Sequence, residues 1–334
     1  MYTQHYGLTD RPFQLTPDAR FWFNSRTHKK AMAYLGYGIA QGEGFIVVTG
    51  EIGAGKSTLA AHLLATIDRE RLNAVSLVST QVEGDDMLRL AAQGFGLATE
   101  GLEKAQILDR MEQLLAEEAA RGKRSLLIVD EAQSLATSAL EELRMLSNFT
   151  RQGRALLQIF LLGQPEFRDR LAGEGLEQLR QRVIATHHLD AMEPVEVEPY
   201  LVHRLTVAGW QGRPVFEASA FAAIHRHTGG IPRRVNQLAN RVLLYGALES
   251  LDRIGAGAVD TVAADMAADR TGPRAVEVGQ GAPAGPVKDL ALERRVAQLE
   301  SRLEEQEVVL RRVLTLLVDW VESAEAPGYR SNAA

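Results

Sequence analysis

The chain has 334 residues, 46% hydrophobic and 24% charged, enough to bury one large core and a smaller second one. A net charge of -6 supplies no general basic field for non-specific nucleic-acid binding, and the lack of any cysteine removes disulfides, thiolate metal sites and cysteine nucleophiles. No stretch approaches the roughly 20 apolar residues of a membrane span, and the start lacks the basic and apolar halves of a signal peptide, so a cytoplasmic protein is expected.

Residues 1–43 are rich in aromatics and turn formers. They read as an N-terminal flap leading into a helix from about His28 to Ala40. Phe45 to Thr49 is a short apolar strand ending in Gly50, and an alanine- and leucine-rich helix follows from Lys56 to Asp68. The alternation continues through a strand over 74–79, helices over 85–93 and 103–121, and a strand over 126–129. A helix over 137–150, a strand over 156–162, a helical stretch from Pro165 to about Arg182 and a strand over 183–189 complete it. Five apolar strands separated by helices predict an α/β fold over 44–192, a parallel sheet covered on both faces.

After Glu193 the strand pattern stops. Helices over about 195–208, 217–227, 232–249 and 256–268 predict an all-helical second domain over 193–268. Residues 269–288, with Pro273, Pro283 and Pro286 among glycines and alanines, read as a flexible linker. Beyond it Leu292, Val296, Leu299, Leu303, Gln306, Leu310, Val313, Leu317 and Trp320 alternate at spacings of four and three, predicting a coiled coil over 289–323 before a disordered tail of 324–334.

Gly50-Glu51-Ile52-Gly53-Ala54-Gly55-Lys56-Ser57 is a complete GxxxxGK[ST] phosphate-binding loop between a strand and a helix. Its glycines turn backbone N–H groups toward the phosphates, and Thr58 extends the cradle into the helix N-terminus. Lys56 is placed for the β- and γ-phosphates of ATP and Ser57 for Mg2+. The strand Leu126 to Val129 then delivers Asp130 and Glu131, the first to position Mg2+ and the second to activate the attacking water. Gln164, after the next strand, is either a sensor of the γ-phosphate or an amide that caps the helix begun by Pro165. Arg180 and Arg182 precede the last strand, where a ring subunit can reach its neighbour's nucleotide; Arg182 is the first choice for such a finger. Arg233, opening a helix of the second domain, is placed to reach back over the γ-phosphate. His187 and His188 point to opposite faces of a strand and read as structural, as do His225 and His227.

Tyr6-Gly7-Leu8, Arg11-Pro12-Phe13, Thr16-Pro17-Asp18, Phe21, Gly44-Phe45 and Thr49-Gly50-Glu51 resemble the ExeA/GspA and MshM group of secretion-pathway AAA+ ATPases. Asp130-Glu131-Ala132-Gln133, Gly163-Gln164-Pro165-Glu166, Gln181-Arg182 and Gly230-Ile231-Pro232-Arg233 add to the likeness, which covers roughly residues 1–265. Leu143 to Phe149 and Leu179 to Ala185 look most like the secretion ATPase associated with exosortase (PEP-CTERM) and exopolysaccharide loci. The resemblance implies a P-loop AAA+ core of αβα layers followed by a helical lid, ATP and Mg2+ as cofactors, and a homo-oligomeric ring. Its expected partners are envelope or exopolysaccharide export proteins, reached through the coiled-coil tail. ExeA-branch members carry a membrane helix and a periplasmic domain after the ATPase, and this chain shows neither pattern. A membrane link is therefore expected only indirectly, with the protein peripheral at the inner membrane. Two other readings stand beside this one. The first is a DNA-binding ATPase of the transposon target-selection type, for which Arg226, Arg233, Arg234 and Arg241 are candidates against the acidic balance. The second is a nucleotide-switched scaffold with slow turnover.

Overall fold

The computed structural model describes residues 2–270 apart from 17, 43 and 79–81; the linker from residue 271 onward, the coiled coil over 289–323 and the tail over 324–334 lie outside them. In chain order the first elements are α1 (Tyr2–Tyr6), α2 (Arg26–Gln41), β1 (Phe45–Gly50), α3 (Lys56–Thr66), β2 (Leu72–Val78), α4 (Gly84–Gly94), α5 (Lys104–Ala120) and β3 (Arg124–Asp130). Then come α6 (Thr137–Leu146), β4 (Thr150–Arg151), β5 (Arg154–Ala155), β6 (Leu157–Gly163), α7 (Pro165–Ala172), α8 (Glu177–Arg180) and β7 (Val183–Leu189). The chain continues through α9 (Pro194–Val207), β8 (Val215–Phe216), α10 (Ala218–Thr228), α11 (Pro232–Leu248), β9 (Arg253–Ile254) and α12 (Ala256–Arg270).

The five long strands form one parallel sheet in the order β2-β3-β6-β1-β7. Both faces of its central strands are covered, so they read as unbroken apolar runs: Phe45, Ile46, Val47 and Val48 are all fully buried. Burying each such side chain stabilises the fold by about 1.5–3 kcal/mol. Leu127, Val129, Ile159 and Leu161 pack beneath helices α4 to α8, while Ile46, Val48, Ile128 and Phe160 pack against α2 and α3.

Helices α9 to α12 enclose a separate apolar core around Leu201, Ile224, Val235 and Val242. Capping places their starts: Glu193 and Glu196 form a reciprocal box at α9, and Pro232 opens α11. Tyr2, Tyr6, Leu8 and Phe13 are buried in this second core, and Tyr2 Oη donates to Asn240 Oδ1 at 2.7 Å. The stretch read as a flap is thus divided, its first part packed on the lid and its helix α2 packed on β7 and β1.

Two other expectations change. The helix expected to reach Thr150 ends at Leu146, and β4 and β5 form a hairpin turning through Gln152 and Gly153. Both turn residues have positive φ, 53° and 74°, as a two-residue hairpin with strand-matched twist demands. The helical stretch from Pro165 to Arg182 is broken at Gly173–Gly175, where Gly175 takes φ +85°, leaving α7 and α8. Among the described residues no helix is long and apolar enough to cross a membrane.

Candidate nucleotide site

The sheet order places β6 between β1 and β3, so the three strands deliver Gly50, Gln164 and Asp130–Glu131 side by side at one edge. Ligands of parallel α/β sheets bind at that carboxyl edge. The loop from Gly50 to Gly55 wraps back into α3 with Gly53 at φ +87° and Gly55 at φ +102°, conformations that side chains resist. Space is as restrictive as torsion. A Cβ on Gly55 would lie 2.7 Å from His28 Nε2, and one on Gly50 would lie 3.0 Å from Leu189 Cβ. Ala54 anchors the loop, buried against the core.

Lys56 is only 6% exposed, and its ammonium donates to the carbonyls of Gly50 at 2.6 Å and Glu51 at 3.2 Å. Burial lowers its pKa, and the charges of Glu131 and Asp130 oppose that shift without cancelling it. Ser57 Oγ donates to Asp130 Oδ2 at 2.6 Å, bringing together two hard oxygen ligands from the loop helix and from β3. Glu131 adopts the left-handed region at φ 57°, a strain of about 1–2 kcal/mol for a residue with a side chain. Its backbone N–H donates to Asp130 Oδ1 at 2.9 Å, which fixes the turn. Two amides hold its carboxylate: Gln133 Nε2 donates to Glu131 Oε2, and Gln164 Nε2 approaches the same oxygen at 3.4 Å. Gln133 Oε1 in turn accepts from the backbone N–H of Gln164 at 3.0 Å, closing a ring of hydrogen bonds.

Gly53, Gly55, Lys56, Ser57, Thr58, Glu131, Gln164 and Arg233 line a single cavity between the sheet edge and the lid. Arg233 reaches it because its backbone N–H donates to the Gly53 carbonyl at 3.1 Å. Arg180 and Arg182 lie elsewhere. The Arg182 carbonyl accepts from the Phe45 N–H at 2.9 Å, at the end of β1 remote from Gly50, and strand geometry makes that separation roughly 20 Å. Both arginines are exposed. Arg180 Nη1 donates to the Ala172 carbonyl at 3.0 Å, and Arg182 Nη1 approaches the Ser147 carbonyl at 3.5 Å.

The far end of the cavity was not legible from motifs. Trp22, Phe23, His28, Met192, Tyr200 and Asn236 line it, an apolar and aromatic wall with a few fixed polar groups. Tyr200 Oη donates to Asn236 Oδ1 at 2.8 Å, and Arg204 Nε donates to the Pro12 carbonyl at 2.6 Å while its guanidinium sits 4.8 Å from the Phe21 ring centre. His28 is pushed down to about 4 by burial, so it is neutral at physiological pH. Ser25 Oγ lies 2.6 Å from its Nδ1 and also caps α2. The single sequence signal for this wall was the run Phe21-Trp22-Phe23 ahead of the Ser25 cap.

An AAA domain model matches residues 39–171. The chain is 36% identical over 271 residues to General secretion pathway protein A of Aeromonas hydrophila, a match covering 81% of this chain and 49% of that protein. The chain therefore spans about half the length of this curated relative. In fold it is similar to the Aeropyrum pernix ORC2 protein in its ADPNP-ADP complexes, at TM-score 0.58 and 16% identity over 77% of this chain and 71% of that one. Drosophila ORC bound to DNA gives TM-score 0.55 at 17% identity over 80% and 65%. The sheet order, the lid and the phosphate loop agree with these likenesses: the chain has the fold of the P-loop AAA+ ATPases, and by sequence it is ExeA/GspA-like.

Proposed function

We propose that this chain hydrolyses Mg-ATP within a ring of its own copies to drive assembly or remodelling of an envelope secretion system, of the exosortase (PEP-CTERM) and exopolysaccharide type. The observation that carries it is the convergence of Lys56, the Ser57–Asp130 pair, Glu131 and Arg233 on one cavity closed by the lid. Lys56 and the loop amides of Gly53 to Thr58 hold the phosphates. Ser57 and Asp130 would hold Mg2+ through oxygen atoms of the kind it prefers. When bound, Mg2+ neutralises phosphate charge. Glu131, steadied by Gln133 and Gln164, accepts the proton of the water that attacks the γ-phosphate. Arg233 contacts the same phosphates from the lid, and Arg182, or Arg180 two residues earlier, enters the neighbouring copy's site.

The secretion role rests on the 36% identity to General secretion pathway protein A. The ATPase acts on the cytoplasmic side, and its tail over 289–334 is the segment proposed to bind the export partner at the inner membrane. Phosphate release by the full chain, with and without residues 289–334, tests both halves together with capture of envelope proteins from the native cell. Turnover retained and export proteins lost on deletion is the expected result. Absence of turnover in the full ring-forming chain removes the motor reading, and capture that ignores the tail removes its partner role.

A further inference from the structure

The opposite edge of the sheet carries a second cleft. Helices that run back against parallel strands end at the edge where the strands begin, so α2 and α5 stop there and present the negative ends of their dipoles, with backbone N–H groups of Arg121, Gly122 and Lys123 already capping the last carbonyls of α5. Cations belong at such an edge, and two arginines meet that need. Arg124 Nη1 donates to the carbonyls of Ile39 and, at 2.9 Å, Ala40; Arg151 Nη1 reaches the Ala116 carbonyl at 3.5 Å. Two further cations are not used in this way. The side chains of Lys123 and Arg154 line the same cleft with no hydrogen bond or ion pair among the described residues.

Three features show that this edge is built for more than capping. No carboxylate lines the cleft among the described residues, although the chain has 43 acidic residues against 37 basic ones. Arg151 and Arg154 stand directly opposite each other in the β4–β5 hairpin, a cross-strand pairing of like charge that costs stability; Arg151 also lines a cleft with Asp109, Glu112 and Glu117, and Arg154 does not. Ser125 and Gln158, each only 3% exposed and both lining the cleft, leave Ser125 Oγ and Gln158 Oε1 without a hydrogen-bond partner. Such an atom costs about 1–3 kcal/mol when left unmet. The Gln158 amide nitrogen is already committed to the Gly44 carbonyl at 2.9 Å, which fixes the oxygen as the free acceptor.

The geometry points to this cleft as a binding site for a small phosphate-bearing molecule, separate from the ATP cavity. Its volume of about 780 Å³ lies in the range of small-molecule sites and exceeds what a lone ion needs. Arg154 and Lys123 neutralise the phosphate, the guanidinium group being suited to bidentate contact with it. Ser125 sits on one face of the sheet edge and Gln158 on the other. The ligand therefore straddles the edge, and the Ser125 hydroxyl and Gln158 Oε1, both closed to solvent as the cleft stands, become its partners only as the side chains at the edge part.

Calorimetric titration of the full chain carrying Lys56→Ala, so that the ATP loop does not compete, tests this with inorganic phosphate, ribose 5-phosphate and UMP as probes. Saturable binding of one molecule per chain is expected for at least one probe. Lys123→Ala with Arg154→Ala should weaken it at least tenfold, while Arg154→Lys, which keeps the charge and the hairpin, and Arg168→Ala, on the exposed face of α7, should retain it. Tighter binding of either ester than of phosphate assigns a phosphate-ester ligand, and equal binding assigns free phosphate. The inference is overturned if no probe saturates, if the double variant binds as well as its parent, or if only duplex DNA or phosphatidylglycerol vesicles bind at this edge.

Discussion

The backbone N–H of Arg233 donates to the Gly53 carbonyl at 3.1 Å, so the first turn of lid helix α11 rests on the phosphate loop itself. A Cβ built on Gly53 falls 2.3 Å from Arg233 Cβ, and the backbone there stands at φ +87°. Gly53→Ala therefore strains the loop and lifts the lid together. ATP affinity, read with a fluorescent analogue, should fall at least tenfold. Removing the opposing side chain with Arg233→Gly should return part of the binding lost to the clash. Unchanged affinity in Gly53→Ala would show that the lid does not bear on the loop during binding.

Glu131 and Lys56 should separate binding from chemistry. Lys56→Ala removes the ammonium proposed to meet the phosphates and should abolish tight Mg-ATP binding, whereas Glu131→Gln should bind ATP and lose turnover by about 10²-fold or more. Gln133 adds a finer test. Its amide bridges Glu131 and the Gln164 backbone, so Gln133→Ala should lower turnover by about tenfold, with ATP affinity nearly unchanged, because it frees a carboxylate that must be aimed. Turnover lost in proportion to affinity would make Gln133 a structural residue only.

His28 gives a pH-dependent stability with a definite sign. Its pKa falls from the ordinary histidine value of 6.5 to about 4 in the folded chain, chiefly through burial, with Glu196 opposing the shift and His187 and His62 adding to it. Between those values the unfolded chain holds a proton that the folded chain refuses. Stability contributed by the neutral ring is present above pH 6.5 and is lost as pH falls toward 4, by about 3 kcal/mol at pH 4. In urea unfolding, His28→Asn should be the less stable chain at pH 7.5, and its deficit should shrink by about that amount on acidification. Parallel pH profiles for the two chains would remove His28 as the titrating group.

The reach of sequence reading follows from how local each feature is. The phosphate loop was legible because strand, loop and helix are contiguous, and Asp130–Glu131 because an apolar strand leads straight into them. The ring of hydrogen bonds around Glu131 was not, since it depends on the left-handed turn at Glu131 that swings Gln133 toward Gln164. The aromatic end of the cavity was hidden for a stronger reason: Trp22 and His28 meet Tyr200 and Asn236 across more than half the described chain. The helix expected over 137–150 overruns by four residues because Leu143, Leu146 and Phe149 continue a helical apolar spacing that the backbone abandons after Leu146. Tertiary pairing of β6 with β3 overrides that local pattern.

Arg182 supplies the test of whether the site is completed by a second copy. The pairing of Phe45 with Val183 and of Gly50 with Leu189 sets Arg182 a full strand length from its own phosphate loop, beyond the reach of a guanidinium. If it acts on ATP at all, it acts on a neighbour's. Specific activity should then rise with protein concentration, and Arg182→Ala should lose turnover far more than ATP affinity, because a finger matches charge that develops in the transition state. Such a finger contributes on the order of 10³ to 10⁵ in rate. Arg182→Ala and Glu131→Gln, each nearly inactive alone, should recover activity when mixed, at interfaces that join an intact Glu131 to an intact Arg182. Arg180, which donates to its own Ala172 carbonyl, is the control: rescue of an Arg180→Ala mixture, with none for Arg182→Ala, would move the finger by two residues. Concentration-independent turnover with no rescue in either mixture would leave a self-sufficient subunit and end the ring mechanism.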